Sequence, residues 1–173
     1  MSFYGLRLFD HDDKKYAYGV YKRLTPANQT YNVSMTVVNY VYVLNDSSLT
    51  ITNTDTQANV TVTRANNLVD VSSFQNANCT VQSGNVNVES ISLLTRKPDG
   101  IPFNMSNVQL VEITDSYDLE VGKTALIVEG SLNVPVGNTT VLANSEVDIY
   151  SVGPRESNTT LTGTGKVIVF NIT

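Results

Sequence analysis

The chain has 173 residues, of which 41% are hydrophobic and 16% are charged, and its formal net charge at pH 7 is −5. This length suits one domain, or one domain with an appendage, and the hydrophobic fraction is sufficient for a core. The fraction of charged residues is below the roughly 25% of average soluble proteins, which predicts a surface of Asn, Ser and Thr. No apolar run approaches the roughly 20 residues of a membrane-spanning helix.

The first 25 residues differ from the rest of the chain in charge and in aromatic content. They carry 5 basic and 3 acidic residues (5 − 3 = +2), whereas residues 26–173 carry 6 and 13 (6 − 13 = −7). Aromatic-rich runs at 3–9 and 15–23 flank a polar turn at 10–14, which predicts a β-hairpin. We therefore expect an N-terminal aromatic and basic hairpin or docking arm at 1–25, followed by a β-sandwich domain at 26–173.

Aromatic residues and arginine are enriched at the centres of protein interfaces, so the N-terminal segment is predicted to dock on a partner. The predicted partner-docking residues are Phe3, Tyr4, Arg7, Phe9, Tyr16, Tyr18, Tyr21, Lys22 and Arg23.

From Tyr31 onward, β-branched or apolar residues alternate with Asn, Ser and Thr, and this period of two is typical of strands. Turn signals recur every 8–12 residues, which indicates a sandwich or barrel. The predicted strands are 35–44, 49–53, 59–63, 68–72, 79–82, 86–94, 108–113, 125–134, 147–152 and 166–173. The segment 115–121 is the best helical candidate, although a loop is the alternative there.

The predicted fold is therefore all-β: an antiparallel β-sandwich or a jelly-roll-like barrel, with the N-terminal hairpin or arm. The alternative is a β-solenoid, because weakly repetitive units occur between residues 58 and 88.

The run G-T-G-K at 163–166 superficially resembles a phosphate-binding loop. It lacks the first glycine of that motif, has Val167 where Ser or Thr is required, and precedes a predicted strand rather than a helix. We interpret it as a tight glycine turn before the last strand.

Few residues are suited to metal binding or catalysis. The only histidine, His11, lies among three aspartates at 10–13, a pattern that favours a turn over a metal site. The acids of 115–120 lack the spacing of an EF-hand loop, so calcium is the weaker interpretation there. Candidate carboxylates for glycoside chemistry, by residue type alone, are Glu112, Asp115, Glu120, Glu129 and Glu146.

The single cysteine, Cys79, excludes an internal disulfide and is predicted to lie on the buried face of a strand. Nine N-x-[ST] triplets are interpreted mainly as a by-product of the polar alternation. They begin at Asn28, Asn32, Asn45, Asn59, Asn78, Asn104, Asn138, Asn158 and Asn171.

These features predict a non-enzymatic structural component of a virus or phage particle, which assembles with other virion proteins and forms a homo-oligomer. The N-terminus does not match a signal peptide, and we expect no cofactor, no metal and no nucleic acid bound by the main domain. The alternative is an extracellular or cell-surface adhesin or carbohydrate-binding module with a surface glycan as its partner. An enzyme that uses a carboxylate pair is the third hypothesis.

Overall fold

The computed structural model describes residues 4–11, 16–35, 38–74, 77–96 and 105–172, without the side chains of 4–11, 16–17, 95–96 and 172. The chain divides into two compact units. Unit 1 comprises Met1–Phe9 and Ala17–Arg96, and unit 2 comprises Asp10–Tyr16 and Lys97–Thr173. The predicted domain boundary lies between residues 25 and 26. The two compact units do not divide there, because residues 17–96 belong to one unit.

Unit 1 is built from two antiparallel sheets. Its strands are β1 (Tyr4–His11), β2 (Tyr16–Thr25), β3 (Thr30–Ser34), β4 (Val38–Val43), β5 (Ser48–Asn53), β6 (Asn59–Thr63), β7 (Leu68–Asp70), β8 (Asn78–Ser83) and β9 (Val88–Arg96). One sheet has the order β1-β2-β9-β4-β7 and the other has the order β3-β8-β5-β6. A single 3-10 turn at Ser72–Phe74 lies between β7 and β8. The predicted N-terminal hairpin strands are neighbours in the first sheet.

Residues from both sheets of unit 1 form one hydrophobic cluster. Val41 and Val43 of β4 pack with Leu49 and Ile51 of β5, as period-two alternation requires for strands with one buried face. Strand pairings join segments far apart in the sequence, such as β2 with β9 and β3 with β8. The β-solenoid alternative is therefore wrong, because the described pairings are antiparallel and several of them join distant segments, whereas the rungs of a solenoid stack in sequence order.

Unit 2 contains one sheet of the order β10-β15-β12-β13, with β11 paired to β15 and β14 paired to β12. Its strands are β10 (Met105–Ile113), β11 (Ser116–Leu119), β12 (Thr124–Val136), β13 (Thr139–Asn144), β14 (Tyr150–Val152) and β15 (Thr159–Ile172). Its core includes Ile127 and Leu132 of β12 and Leu161 and Val167 of β15.

Strand β15 runs through the segment that was predicted to be a glycine turn. Gly163 and Gly165 lie inside the strand, where a Cβ atom would lie 2.9 Å from the Ser131 oxygen and 2.5 Å from the Glu129 oxygen, respectively. The turn prediction is wrong, because these glycines permit close approach of β12 and β15 rather than a reversal of the chain.

The all-β prediction is confirmed, and β6 has the predicted bounds 59–63. The helical candidate at 115–121 is wrong, since β11 lies there and pairs with β15. Strands β3 and β13 were absent from the predicted set. No helix among the described residues is long and apolar enough to cross a membrane.

Candidate functional site

A cavity of about 340 Å³ lies within unit 1, and residues of both its sheets form the walls. Its lining residues are Tyr21, Arg23, Tyr31, Val33, Ser34, Met35, Val38, Val41, Leu49, Ile51, Val81, Ser90, Ser92 and Leu94. The volume is within the range of small-molecule pockets, which is about 300–1,000 Å³.

The apolar part of the cavity wall comes mainly from the sheet β3-β8-β5-β6. Ile51 and Val81 are directly opposed in the β5–β8 pairing, and Tyr31 is opposed to Val81 in the β3–β8 pairing. Ile51 and Val81 are only 1% and 4% exposed, and the nearby Met35 is 3% exposed. This wall is therefore mostly apolar, with Ser34 and the Tyr31 hydroxyl as its polar groups.

The polar part comes mainly from two adjacent rows of the other sheet. Tyr21 of β2 is opposed to Ser92 of β9, and Arg23 is opposed to Ser90. Because residues i and i+2 lie on the same face of a strand, both rows face the cavity. Ser90 is 4% exposed, so its hydroxyl is a core group rather than a surface group.

Arg23 is held by an aromatic ring of the facing sheet. Its guanidinium carbon lies 3.5 Å from the centroid of the Tyr31 ring, in cation–π geometry. The side chain thus reaches from β2 to β3, and the Tyr31 ring covers one face of the guanidinium group. Contacts through the guanidinium N–H groups are therefore made along its edges.

The described lining residues include serine and tyrosine hydroxyls and one arginine, but no Asp, Glu, His or Cys. Across the described part of the chain, no three His, Cys, Asp or Glu side chains form a group suited to a metal ion. The cavity wall can therefore hold an apolar body, donate hydrogen bonds and supply positive charge.

Cys79 lies in the core of unit 1 and is 1% exposed, which confirms the predicted buried position. Burial raises the pKa of its thiol, because the thiolate would lose its hydration. The thiol form is thus favoured, and a nucleophilic role for Cys79 is disfavoured.

The structure separates the predicted docking residues. Tyr21 and Arg23 line the cavity, Tyr18 is 1% exposed, and the partly buried Lys22 alternates to the opposite face of β2. Phe3 lies outside the described residues, as do the side chains of Tyr4, Arg7, Phe9 and Tyr16. Docking on a partner stays a prediction for this set, as do the homo-oligomer and the glycan partner.

The five candidate carboxylates belong to unit 2, and none of them lines the cavity. Sequence reasoning missed Tyr31, Ser90 and Ser92. The one available signal was strand β9, where Ser90 and Ser92 alternate with Ile91 and Leu93, two residues that are fully buried. Serines that alternate with buried apolar residues on one strand are compatible with a cavity on the serine face. The sequence alone does not show whether that face borders a cavity or solvent.

Comparison with known proteins gives similarity of fold only. No family model matches the chain, and no curated protein matches its sequence. The conserved protein of unknown function PA5104 from Pseudomonas aeruginosa PAO1 has a TM-score of 0.65 and 9% identity, covering 98% of this chain and 89% of that one. AerE from Microcystis aeruginosa has a TM-score of 0.60 and 12% identity, covering 96% of this chain and 90% of that one. A cupin 2 conserved barrel domain protein from Leptotrichia buccalis has a TM-score of 0.48 and 10% identity, covering 98% and 88%.

These comparisons overturn the predicted function. PA5104 and AerE, which share the fold along nearly the whole chain, come from bacteria, and neither is described as a particle component. The prediction of a structural component of a virus or phage particle is therefore wrong. Its physical basis was weak, since an all-β domain with a polar surface occurs in many functional classes. The alternative of an adhesin or carbohydrate-binding module gains no support from the same comparisons.

Proposed function

We propose that unit 1 is a jelly roll of the kind found in cupins, and that it binds a small molecule in its cavity without catalysing a reaction. The topology supports the first part. Strands β2 to β9 form the two four-stranded orders β2-β9-β4-β7 and β3-β8-β5-β6, with β1 added at one edge. Eight strands in two facing antiparallel sheets with such long-range connections are typical of jelly rolls.

The cavity carries the second part of the proposal. Its position between two sheets, its largely apolar wall and its few convergent polar groups are what ligand sites in proteins share. The chemistry of the lining favours binding without catalysis, because a serine hydroxyl needs a neighbouring base to act as a nucleophile. No such base is among the described lining residues.

The cavity volume sets the size of the ligand. A volume of about 340 Å³ lies near the lower end of the roughly 300–1,000 Å³ range of small-molecule pockets. The ligand is therefore small, with on the order of ten non-hydrogen atoms. A molecule of that size, bound mainly through apolar contact, is expected to have a dissociation constant on the order of 0.1–1 mM.

Binding of 3-phenylpropan-1-ol, a neutral probe of this size, tests the proposal. We expect saturable binding by ligand-detected NMR and a concentration-dependent rise in the melting temperature, because a ligand that binds only the folded state stabilises it. Ser92→Phe places an aromatic ring inside the cavity and is expected to abolish binding.

The matched control is Gln82→Phe, which adds the same ring at an exposed position on β8. This variant should bind the alcohol as the wild type does. Equal binding by the Ser92→Phe protein would show that the alcohol does not bind in the cavity, and no saturable binding by the wild-type protein would show that the cavity does not bind a neutral ligand of this size.

A further inference from the structure

We propose that the ligand of the unit 1 cavity carries a carboxylate, which binds at Arg23 with the hydroxyl groups of Ser90 and Ser92 beside it. This inference rests on the proposed function and names the chemical class of the ligand. It also assigns a specificity-determining role to Arg23.

The charge of the cavity wall is the first step. Arg23 contributes one positive charge, and no described lining residue contributes a negative one. A charge interacts more strongly inside a protein than in water, because the effective dielectric constant is lower. An anionic ligand gains from this charge, a neutral ligand does not, and a cationic ligand is opposed by it.

The geometry of Arg23 is the second step. The Tyr31 ring lies against the guanidinium at 3.5 Å and fixes the orientation of its plane. An oriented guanidinium loses less conformational freedom when it binds a ligand. Its planar array of N–H donors matches the two oxygens of a carboxylate in a bidentate contact.

The neighbouring hydroxyls are the third step. Ser90 is directly opposite Arg23 in the β2–β9 pairing, which places the two Cβ atoms about 5 Å apart. Ser92 follows two residues later on the same face of β9. Both serines can donate to oxygen, so a cation and two hydroxyls lie on one side of the cavity, facing the apolar wall formed by Ile51 and Val81. This division of the wall fits a molecule with an acidic head and an apolar body.

The test compares three probes that share one apolar body: 3-phenylpropionate, 3-phenylpropan-1-ol and 3-phenylpropylamine. At pH 7 these carry an anionic, a neutral and a cationic head. Calorimetry on the full chain should give a dissociation constant for the acid about 10- to 100-fold lower than that for the alcohol. The amine should bind more weakly than the alcohol.

Arg23→Met removes the charge while keeping an apolar stem, and it should lower the affinity for the acid to that for the alcohol or below it, because an unpaired carboxylate is costly to bury; the affinity for the alcohol should not change. Arg23→Lys keeps the charge but not the planar array of donors, so it should retain only part of the preference. Lys22→Met, which removes a cation from the adjacent position on the opposite face of β2, is the matched control and should leave the preference unchanged.

The outcomes separate this inference from the proposed function. Equal binding of the acid and the alcohol by the wild-type protein overturns the carboxylate and leaves the cavity as a neutral-ligand site. Binding of none of the three probes overturns both proposals. If Arg23→Met does not fold, the comparison of the three probes on the wild-type protein still decides the question.

Discussion

Substitution of Gly130 by alanine tests how closely β12 and β15 approach in unit 2. Gly130 has φ +77°, and a Cβ at this position would lie 2.4 Å from the Thr164 oxygen and 2.6 Å from the Gly165 Cα atom. Both neighbours are backbone atoms of a paired strand, so neither can move without displacing the sheet.

The cost can be divided into two parts. A positive φ costs an L-residue about 1–2 kcal/mol, and forcing atoms into a packed region costs typically another 1–3 kcal/mol or more. Gly130→Ala is therefore expected to lower the free energy of unfolding by roughly 2–5 kcal/mol, a large share of the about 5–15 kcal/mol usual for a domain.

Gly137→Ala isolates the first part. Gly137 has φ +59°, and nothing lies within 4 Å of its Cβ position. This variant should lose only about 1 kcal/mol, because the strain is partly offset by the lower entropy of the unfolded chain. Urea unfolding followed by far-ultraviolet circular dichroism gives both values. Equal losses in the two variants would refute the close approach of β12 and β15.

Three further predictions concern polar groups that are buried or partly buried. The Thr25 hydroxyl is 1% exposed and has no hydrogen-bond partner among the described residues. Thr25→Val is therefore expected to raise the free energy of unfolding by about 1 kcal/mol. The Ser83 hydroxyl donates to the Pro26 oxygen at 2.6 Å and accepts from the Gln29 N–H at 2.8 Å. Ser83→Ala should therefore lower the free energy of unfolding by about 1–3 kcal/mol in the same urea titration. A less stable Thr25→Val protein or a more stable Ser83→Ala protein would contradict these assignments. Burial raises the pKa of Glu129, against the opposing effect of Lys166. The folded state therefore holds the Glu129 proton more tightly than the unfolded state does. The stability that Glu129 contributes is present below its unfolded pKa and declines as the pH rises through its folded pKa. Glu129→Gln should remove that decline, which unfolding titrations at pH 4 to 8 measure, and an unchanged pH profile would contradict the raised pKa.

Much of unit 1 could be predicted from local pattern. Strand β6 at Asn59–Thr63 alternates valine with polar residues, and Val62 is fully buried as that pattern requires. Cys79 was assigned to a buried face for the same reason. Where the pattern was interrupted, prediction was wrong: glycines at 163 and 165 were interpreted as a turn, although they lie within a 14-residue strand. A glycine inside a strand has the same local signature as a glycine in a turn, and only the partner strand distinguishes them.

The cavity could not be predicted from the sequence, because it depends on pairings between distant segments. The aromatic and basic segment was predicted to dock on a partner, and that stays a prediction; the structure places Tyr21 and Arg23 of this segment in the cavity wall. Their neighbours Ser90 and Ser92 come from β9, more than 65 residues later in the chain. Strand β2 also carries apolar or aromatic residues on both faces, so alternation alone could not show which face lines a cavity.

The serines of β9 favour the proposed ligand site over an imperfectly packed core. The residues of β9 that face the cavity include Ser90 and Ser92, whereas the alternate residues Ile91 and Leu93 are fully buried. Valine at both serine positions would bury more apolar surface and suit a strand better, so stability alone does not account for hydroxyls there. Local rules that favour stability are commonly broken at functional sites. Here the departure falls on two adjacent rows, and one of those rows also holds the cavity's arginine. That coincidence of hydroxyls and charge on one side of a largely apolar cavity is what recognition of an acidic head group requires.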